Sequence, residues 1–272
     1  MTRLRTASKS TSRTTTRSLK NTFTFSAAFI LCAAISNAAW ADNIRVLAAG
    51  AAKAAVERIA PEFTRQTGHT LSATFDTVGA QRDRVLNGAP AGVADVVILS
   101  NAAITQLRSA ARLTQDSAQD IGVVSVSLAV PQGAPVPDIS SPEALKQTLL
   151  AAPSIAYADP ARGATAGTHF AKVVDKLELS QTLQARITVL PFGVEVIKDV
   201  SHGKYALGVS QSSEILQHPG ITMVGPLPAP LALSTGYAAA PTSAQPAAAV
   251  LMTYLASEAA LKHFRATGFL AE

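Results

Sequence analysis

The sequence predicts an α/β protein of two lobes, each a mainly parallel sheet flanked by helices, with a ligand cleft between the lobes. Short apolar runs such as Ile44–Ala48, Asp95–Leu99, Ile187–Leu190 and Tyr205–Val209 suit strands buried on both faces. Each is followed by small or hydroxyl-bearing residues and then by a segment of helical period. The alternation occurs three times between Ile44 and Leu107 and resumes after the proline-rich stretch Pro131–Pro137. Repeated strand–helix alternation implies parallel strands joined by right-handed crossovers, whose ligand edge is the carboxyl end of the strands.

Residues 1–41 carry Arg3, Arg5, Lys9, Arg13, Arg17 and Lys20 and no acid, turn apolar from Phe23 to Ala34, and end in Ala39-Trp40-Ala41. This is the pattern of an export signal cut before Asp42. The other reading, an uncleaved anchor, meets an apolar run too short and interrupted to span a bilayer. Six of the 23 basic residues lie in this segment and none of the 18 acidic ones does, leaving 17 basic against 18 acidic residues. The alkaline character therefore belongs to the signal and gives no support to nucleic-acid binding. The single cysteine, Cys32, also lies there, preceded by Leu31 rather than a small residue, so neither a lipid anchor nor a disulfide is expected. A 48% hydrophobic and 15% charged composition describes a chain that buries a large core.

Ile44, Val46 and Leu47 form the first strand, Gly50-Ala51 the turn, and Val56, Ile59 and Phe63 one face of a helix that Gly68 ends and Pro61 should kink. The turn either offers free backbone N–H groups to an anion or is plain βα packing. Leu71, Ala73 and Phe75 alternate as a strand before Asp76-Thr77-Val78-Gly79, a short helix from Ala80 to Asn87 and the loop Gly88-Ala89-Pro90. After the strand Asp95–Leu99, Ser100-Asn101 caps the helix of Ile104 and Leu107. Ala51, Thr77 and Asn101 thus open three turns on one crevice. Gly122–Val130 is strand-like, and Pro131–Pro137 reads as the crossing into the second lobe. Ser141-Pro142 starts a helix, Ser154–Tyr157 is a strand, and the loop Asp159–Gly167 leads into the helix of Phe170, Val173 and Val174. Phe192-Gly193 opens a helix after Ile187–Leu190, and Ser210–Glu214 follows Tyr205–Val209. Ile221–Val224 and Leu231–Ala239 form the return, and helices near Pro246–Ser257 and Glu258–Thr267 rejoin the first lobe. The expected division is residues 42–125 with 233–272 in lobe I and 126–232 in lobe II.

Several phrases carry a likeness: Leu47-Ala48-Ala49-Gly50-Ala51, Phe75-Asp76-Thr77-Val78-Gly79, Asp95–Ser100, Asp159-Pro160 with Gly163 and Gly167, and Ala206-Leu207-Gly208-Val209. Across essentially the whole mature chain the sequence resembles the periplasmic molybdate-binding proteins, type II solute-binding proteins of ABC importers. The resemblance implies two lobes closing on an oxyanion held by hydroxyls and backbone N–H groups, a membrane permease and its ATPase as partners, and no cofactor. Carried over, the first hydroxyl position falls at Ala51, the second near Thr77 to Gly79, the backbone donor near Gly193, and the family's tyrosine at Ser210. Ala51 lacks a hydroxyl and Ser210 lacks reach, which leaves space for a larger, organic anion.

Among further candidates, Arg162 could grip a carboxylate with two N–H groups or be a solvated loop residue. Thr165 is a helix cap, with or without a ligand contact. Ser210 and Gln211 end a strand on the cleft side. Lys53 and Arg82 are expected to point to solvent. The five histidines show no metal-ligand spacing, Ser212 and Ser213 lack a nucleophile elbow, and Gly163–Gly167 lacks a P-loop ending. The expectation is an exported, periplasmic, monomeric binding protein for a small anion, either a molybdate-like oxyanion or an organic carboxylate. The rivals are an exported enzyme using His169 or Glu214 as acid or base, and a ligand sensor. If Ala51 lines the site, Ala51→Ser should tighten oxyanion binding through an added donor, worth about 1 kcal/mol, or weaken a bulkier ligand that needs the space. Unchanged calorimetric affinity for both classes would assign the turn to packing alone.

Overall fold

A computed structural model describes residues 41–88, 92–114 and 118–271. Residues 1–40 of the export signal expected over residues 1–41, and the loop residues Ala89-Pro90, lie outside the described residues. In chain order the elements are β1 (Asn43–Ala49), α1 (Lys53–Thr67), β2 (Thr70–Asp76), α2 (Val78–Asn87), β3 (Val96–Ser100), α3 (Asn101–Ser109) and β4 (Gln119–Pro131). Then come α4 (Pro142–Ala151), β5 (Ile155–Ala158), α5 (Thr165–Lys176), α6 (Ser180–Leu183), β6 (Ile187–Leu190) and α7 (Gly193–Ser201). The chain continues with β7 (Leu207–Gln211), α8 (Ser212–Leu216), β8 (Ile221–Pro226), β9 (Ser234–Pro241), α9 (Pro246–Leu255) and α10 (Glu258–Ala266).

Local chemistry explains most boundaries. α1 buries Val56, Ile59 and Phe63, runs through Pro61 without interruption, and ends where Gly68 takes φ 79° and returns its N–H to Thr64 O at 2.9 Å. α2 begins at Val78, two residues before Ala80, because Thr77 stays extended and its hydroxyl accepts the Ala80 N–H at 3.2 Å. Ser100 and Ser141 cap α3 and α4 in the same way.

The strands form two mixed sheets in the order β2-β1-β3-β9-β4-β7-β5-β6, with β8 also on β4. β2, β1 and β3 are parallel, as are β6, β5 and β7. β4, β8 and β9 pair antiparallel, because the chain passes directly between lobes on β4 instead of through a strand–helix–strand unit. From Gln119 to Ser125 β4 pairs with β9, and from Val126 onward with β7 and β8. The crossing therefore lies inside this strand. Pro131–Pro137, expected to make it, instead begins with a turn in which Pro131 O accepts the Ala134 N–H at 3.1 Å.

Two separate apolar cores follow the sheets. One joins Ile44, Phe63 and Ile98 with Leu251, Leu255, Phe264 and Phe269 from the C-terminal helices. The other gathers Leu128, Leu145, Phe170 and Leu183, with Val196 and Ile197 beside them in a satellite cluster. Each fully buried large side chain contributes about 2 kcal/mol.

Arg45 and Asp95 tie β1 to the segment before β3. The Asp95 carboxylate, 1% exposed, accepts the Arg45 backbone N–H at 2.8 Å, Nε at 3.1 Å and Nη2 at 2.9 Å. Burial alone would raise its pKa, but these bonds outweigh burial and hold it below the usual range. A depressed carboxylate stabilises the fold above its unfolded pKa and loses that contribution as pH falls through its folded value. Asp95→Asn should therefore cost about 2–3 kcal/mol at neutral pH and less in acid, read as a denaturant midpoint. An equal cost at both pH values would place the effect in packing instead of charge.

Candidate functional site between the lobes

Six chain segments meet at one cavity of about 140 Å³. β1 supplies Gly50 and Ala51 in a short 3-10 turn, and β2 supplies Phe75, Asp76 and Thr77. From the other lobe come Thr165 and Ala166 at the start of α5, Phe192, Gly193 and Val194 at the start of α7, and Ser210, Gln211 and Glu214 after β7. Tyr237 of β9 completes the wall. The volume admits a small anion and is too small for a nucleotide. The starts of α5 and α7 turn backbone N–H groups and the positive end of the helix dipole toward it.

Six of the nine sequence-predicted residues thus line one cavity: Ala51, Thr77, Thr165, Gly193, Ser210 and Gln211. Gly79 and Asn101 line a neighbouring cavity of about 560 Å³, together with His169 and again Thr165. What separates the two is a close inter-lobe contact. Gly79 N–H donates to Gly163 O at 3.1 Å, and a Cβ on Gly79 would come within 2.7 Å of the Gly163 Cα. Only a glycine pair allows the backbones to approach this far. The Thr77 hydroxyl donates to Arg162 O across the same seam, so its proton is directed to the other lobe.

Arg162 lies outside the cavity wall. Its Nη2 meets Asp76 Oδ1 at 3.1 Å, and its guanidinium stacks 4.8 Å from the Phe192 ring centroid. The candidate carboxylate grip is therefore taken by a carboxylate of the protein itself. Thr165 is likewise not the cap of α5. Ala164 occupies that position, extended and without a side-chain bond, and Thr165 follows in the first turn. His169 places Nε2 2.7 Å from Leu231 O. Lys53 borders the cavity, with Nζ 3.8 Å from Glu57 and 5.9 Å from the Phe75 ring centroid. Arg82 borders the second cavity and pairs with Asp83 at 2.7 Å.

The most consequential groups are two that the sequence did not single out as ligands. The Glu214 carboxyl, partly buried, lies between glycines of the two lobes: a Cβ on Gly50 would lie 2.7 Å from Oε1, and one on Gly193 would lie 2.3 Å from Oε2. Oε2 accepts the Ser210 hydroxyl and, at 3.4 Å, the Gln211 N–H. Burial pushes Glu214 up, and these two bonds only partly offset it, so its pKa stays above the ordinary carboxylate value. Its spacing, three residues after Gln211 at a helix start, is the one clue the sequence offered. Tyr237, 1% exposed, stands beside Thr165 and Gln211. Burial, reinforced by nearby Glu214, raises its phenol far above the ordinary range and keeps it a neutral hydroxyl. It restores a tyrosine to the cavity from the returning strand, where Ser210 had seemed to lose one. The Gln211 side chain is 4% exposed and lies between the Tyr237 hydroxyl and the first turn of α8.

Among the described residues, no cluster of three or more His, Cys, Asp or Glu side chains could hold a metal ion. No helix among them is long and apolar enough to cross a membrane.

Comparison with known proteins places this architecture. The chain is 32% identical over 235 residues to an aconitate isomerase of a Pseudomonas species, covering 83% of this chain and 87% of that one. Its fold is that of the periplasmic molybdate-binding protein of Azotobacter vinelandii (TM-score 0.67, 20% identity, 84% of this chain and 99% of the other). The sulfate-binding protein of Mycobacterium tuberculosis is similar too (TM-score 0.63, 17% identity, 84% and 86%). These likenesses establish the type II periplasmic-binding-protein fold. The model of the family described as bacterial extracellular solute-binding protein matches residues 44–270, and the chain belongs to that family.

Proposed function

We propose that this protein is a periplasmic, monomeric receptor that closes its two lobes around a small organic carboxylate and presents it to an inner-membrane permease and its ATPase. The observation that carries this reading is the composition of the cavity wall. Helix starts and hydroxyl groups receive an anion, while a carboxyl and a buried amide can exchange hydrogen bonds with a ligand carboxyl. Residues 42–125 with 233–272 serve as one lobe and 126–232 as the other, and contacts from both sides favour the closed form.

A second reading is favoured by Glu214 together with the isomerase relative. In it the chain shifts a double bond or its geometry in an unsaturated acid of the aconitate type. Such a change needs a proton taken from one carbon, the electron pair held in the allyl system, and a proton returned to carbon. Glu214 is placed to carry that proton. His169, bonded to Leu231 O beside the other cavity, is not.

Calorimetry with molybdate, tungstate, sulfate, citrate and the two aconitate isomers should show an organic acid binding most tightly. Affinities no better than about millimolar for every acid would remove the receptor reading. Proton NMR of cis-aconitate incubated with the protein separates the two readings. Conversion slowed about 100-fold or more by Glu214→Gln, but not by His169→Ala, marks an enzyme; an unchanged spectrum leaves carriage. Arg162→Ala removes the clasp to Asp76 and should weaken the tightest ligand by at most about tenfold, since a half-exposed pair is worth about 1 kcal/mol. The ligand-free melting temperature should barely move, and unchanged affinity would mean that closure does not use the clasp.

A further inference from the structure

The cavity proposed to receive an anion also contains a carboxyl group, Glu214, that pairs with no cation among the described residues. Each charged neighbour is committed elsewhere or neutral. Lys53 is directed to Glu57 at 3.8 Å, Arg58 to Gln217 at 2.5 Å, and Asp76 to Arg162 at 3.1 Å. His218, beyond α8, places Nδ1 2.7 Å from Pro219 O, and Tyr237 is a neutral phenol. Glu214 Oε2 is filled by donors from Ser210 and Gln211, which leaves Oε1, beside Gly50, as the oxygen that can serve a ligand. Two carboxylates brought together away from water cannot both stay ionised and share one proton instead. An independent feature points to the same ligand chemistry. The buried Gln211 amide borders the cavity beside the Tyr237 hydroxyl, and its N–H donor and carbonyl acceptor together complement a carboxyl group that retains a proton.

We propose that the ligand binds together with one proton, shared between a ligand carboxylate and Glu214 Oε1, while the Gln211 amide pairs with the same ligand carboxyl. The inference deepens the carboxylate-binding reading and rests on it. The burial that holds Glu214 above the ordinary range acts in the same direction. Balance is simple: free ligand and protein at neutral pH, plus one proton from solvent, give the complex.

The test is calorimetry of trans-aconitate binding at one neutral pH in buffers of different ionisation enthalpy. The slope of observed enthalpy against buffer enthalpy should report uptake of about one proton for the wild type. Glu214→Gln, which keeps the shape and offers an N–H donor, should bind with a slope near zero. Should that variant misfold, the wild-type protein alone still decides, because coupled uptake makes affinity fall about tenfold per pH unit above neutrality. Binding with no proton uptake, or uptake unchanged by Glu214→Gln, overturns this inference and leaves the receptor reading standing. Absence of any binding overturns the receptor reading as well.

Discussion

A carboxyl group held between glycines of the two lobes imposes a constraint that the surrounding residues reflect. Gly50 and Gly193 leave room for Glu214 from opposite lobes, and Ser210 and Gln211 orient one of its oxygens. Any larger side chain at Gly193 would displace the carboxyl, since even a methyl group would overlap it. A site designed only for a permanently charged oxyanion gains nothing from such a group. A site for an organic acid gains a proton carrier that can answer a ligand carboxyl. The buried phenol of Tyr237 and the amide of Gln211 beside it are neutral groups that line the same cavity without adding charge.

Closure determines whether these groups meet. Glu214 belongs to the lobe of β7, whereas Ala51 and Thr77 belong to the lobe of β1, and the strand β4 runs through both sheets. The seam is sealed on one side by backbone contact between Gly79 and Gly163, by the Thr77 hydroxyl on Arg162 O, and by Arg162 on Asp76. Direct backbone approach gives this seam a defined geometry, while the half-exposed ion pair adds orientation and little energy. The two functional readings share this closed cavity and differ only in what becomes of the ligand's protons.

Much of the architecture was legible because local and global signals agree. The run Val96–Ser100 is buried throughout, as its apolar sequence requires, and Ser100 and Ser141 cap helices as their side chains allow. The proline-rich stretch drew the crossing too far along the chain, because both halves of β4 are apolar and nothing local marks its change of partners at Ser125. Site residues divided along similar lines. Residues at strand ends, such as Ser210 and Gln211, follow from topology. Asn101 also stands at a strand end, yet the glycine contact directs it to the second cavity, a partition no sequence spacing encodes. Arg162 read as a ligand grip because its partner, Asp76, is 86 residues away. Tyr237 sits in a run of small residues that only the sheet order brings back to the cleft.

The most direct measurement is a crystal structure of the mature chain with its tightest-binding carboxylate. The expected result is a ligand carboxyl within about 3 Å of Glu214 Oε1 and of the Gln211 amide, contacted by both lobes, with Arg162 on Asp76. A ligand held instead in the cavity of Asn101 and His169, or touched by one lobe alone, would contradict it.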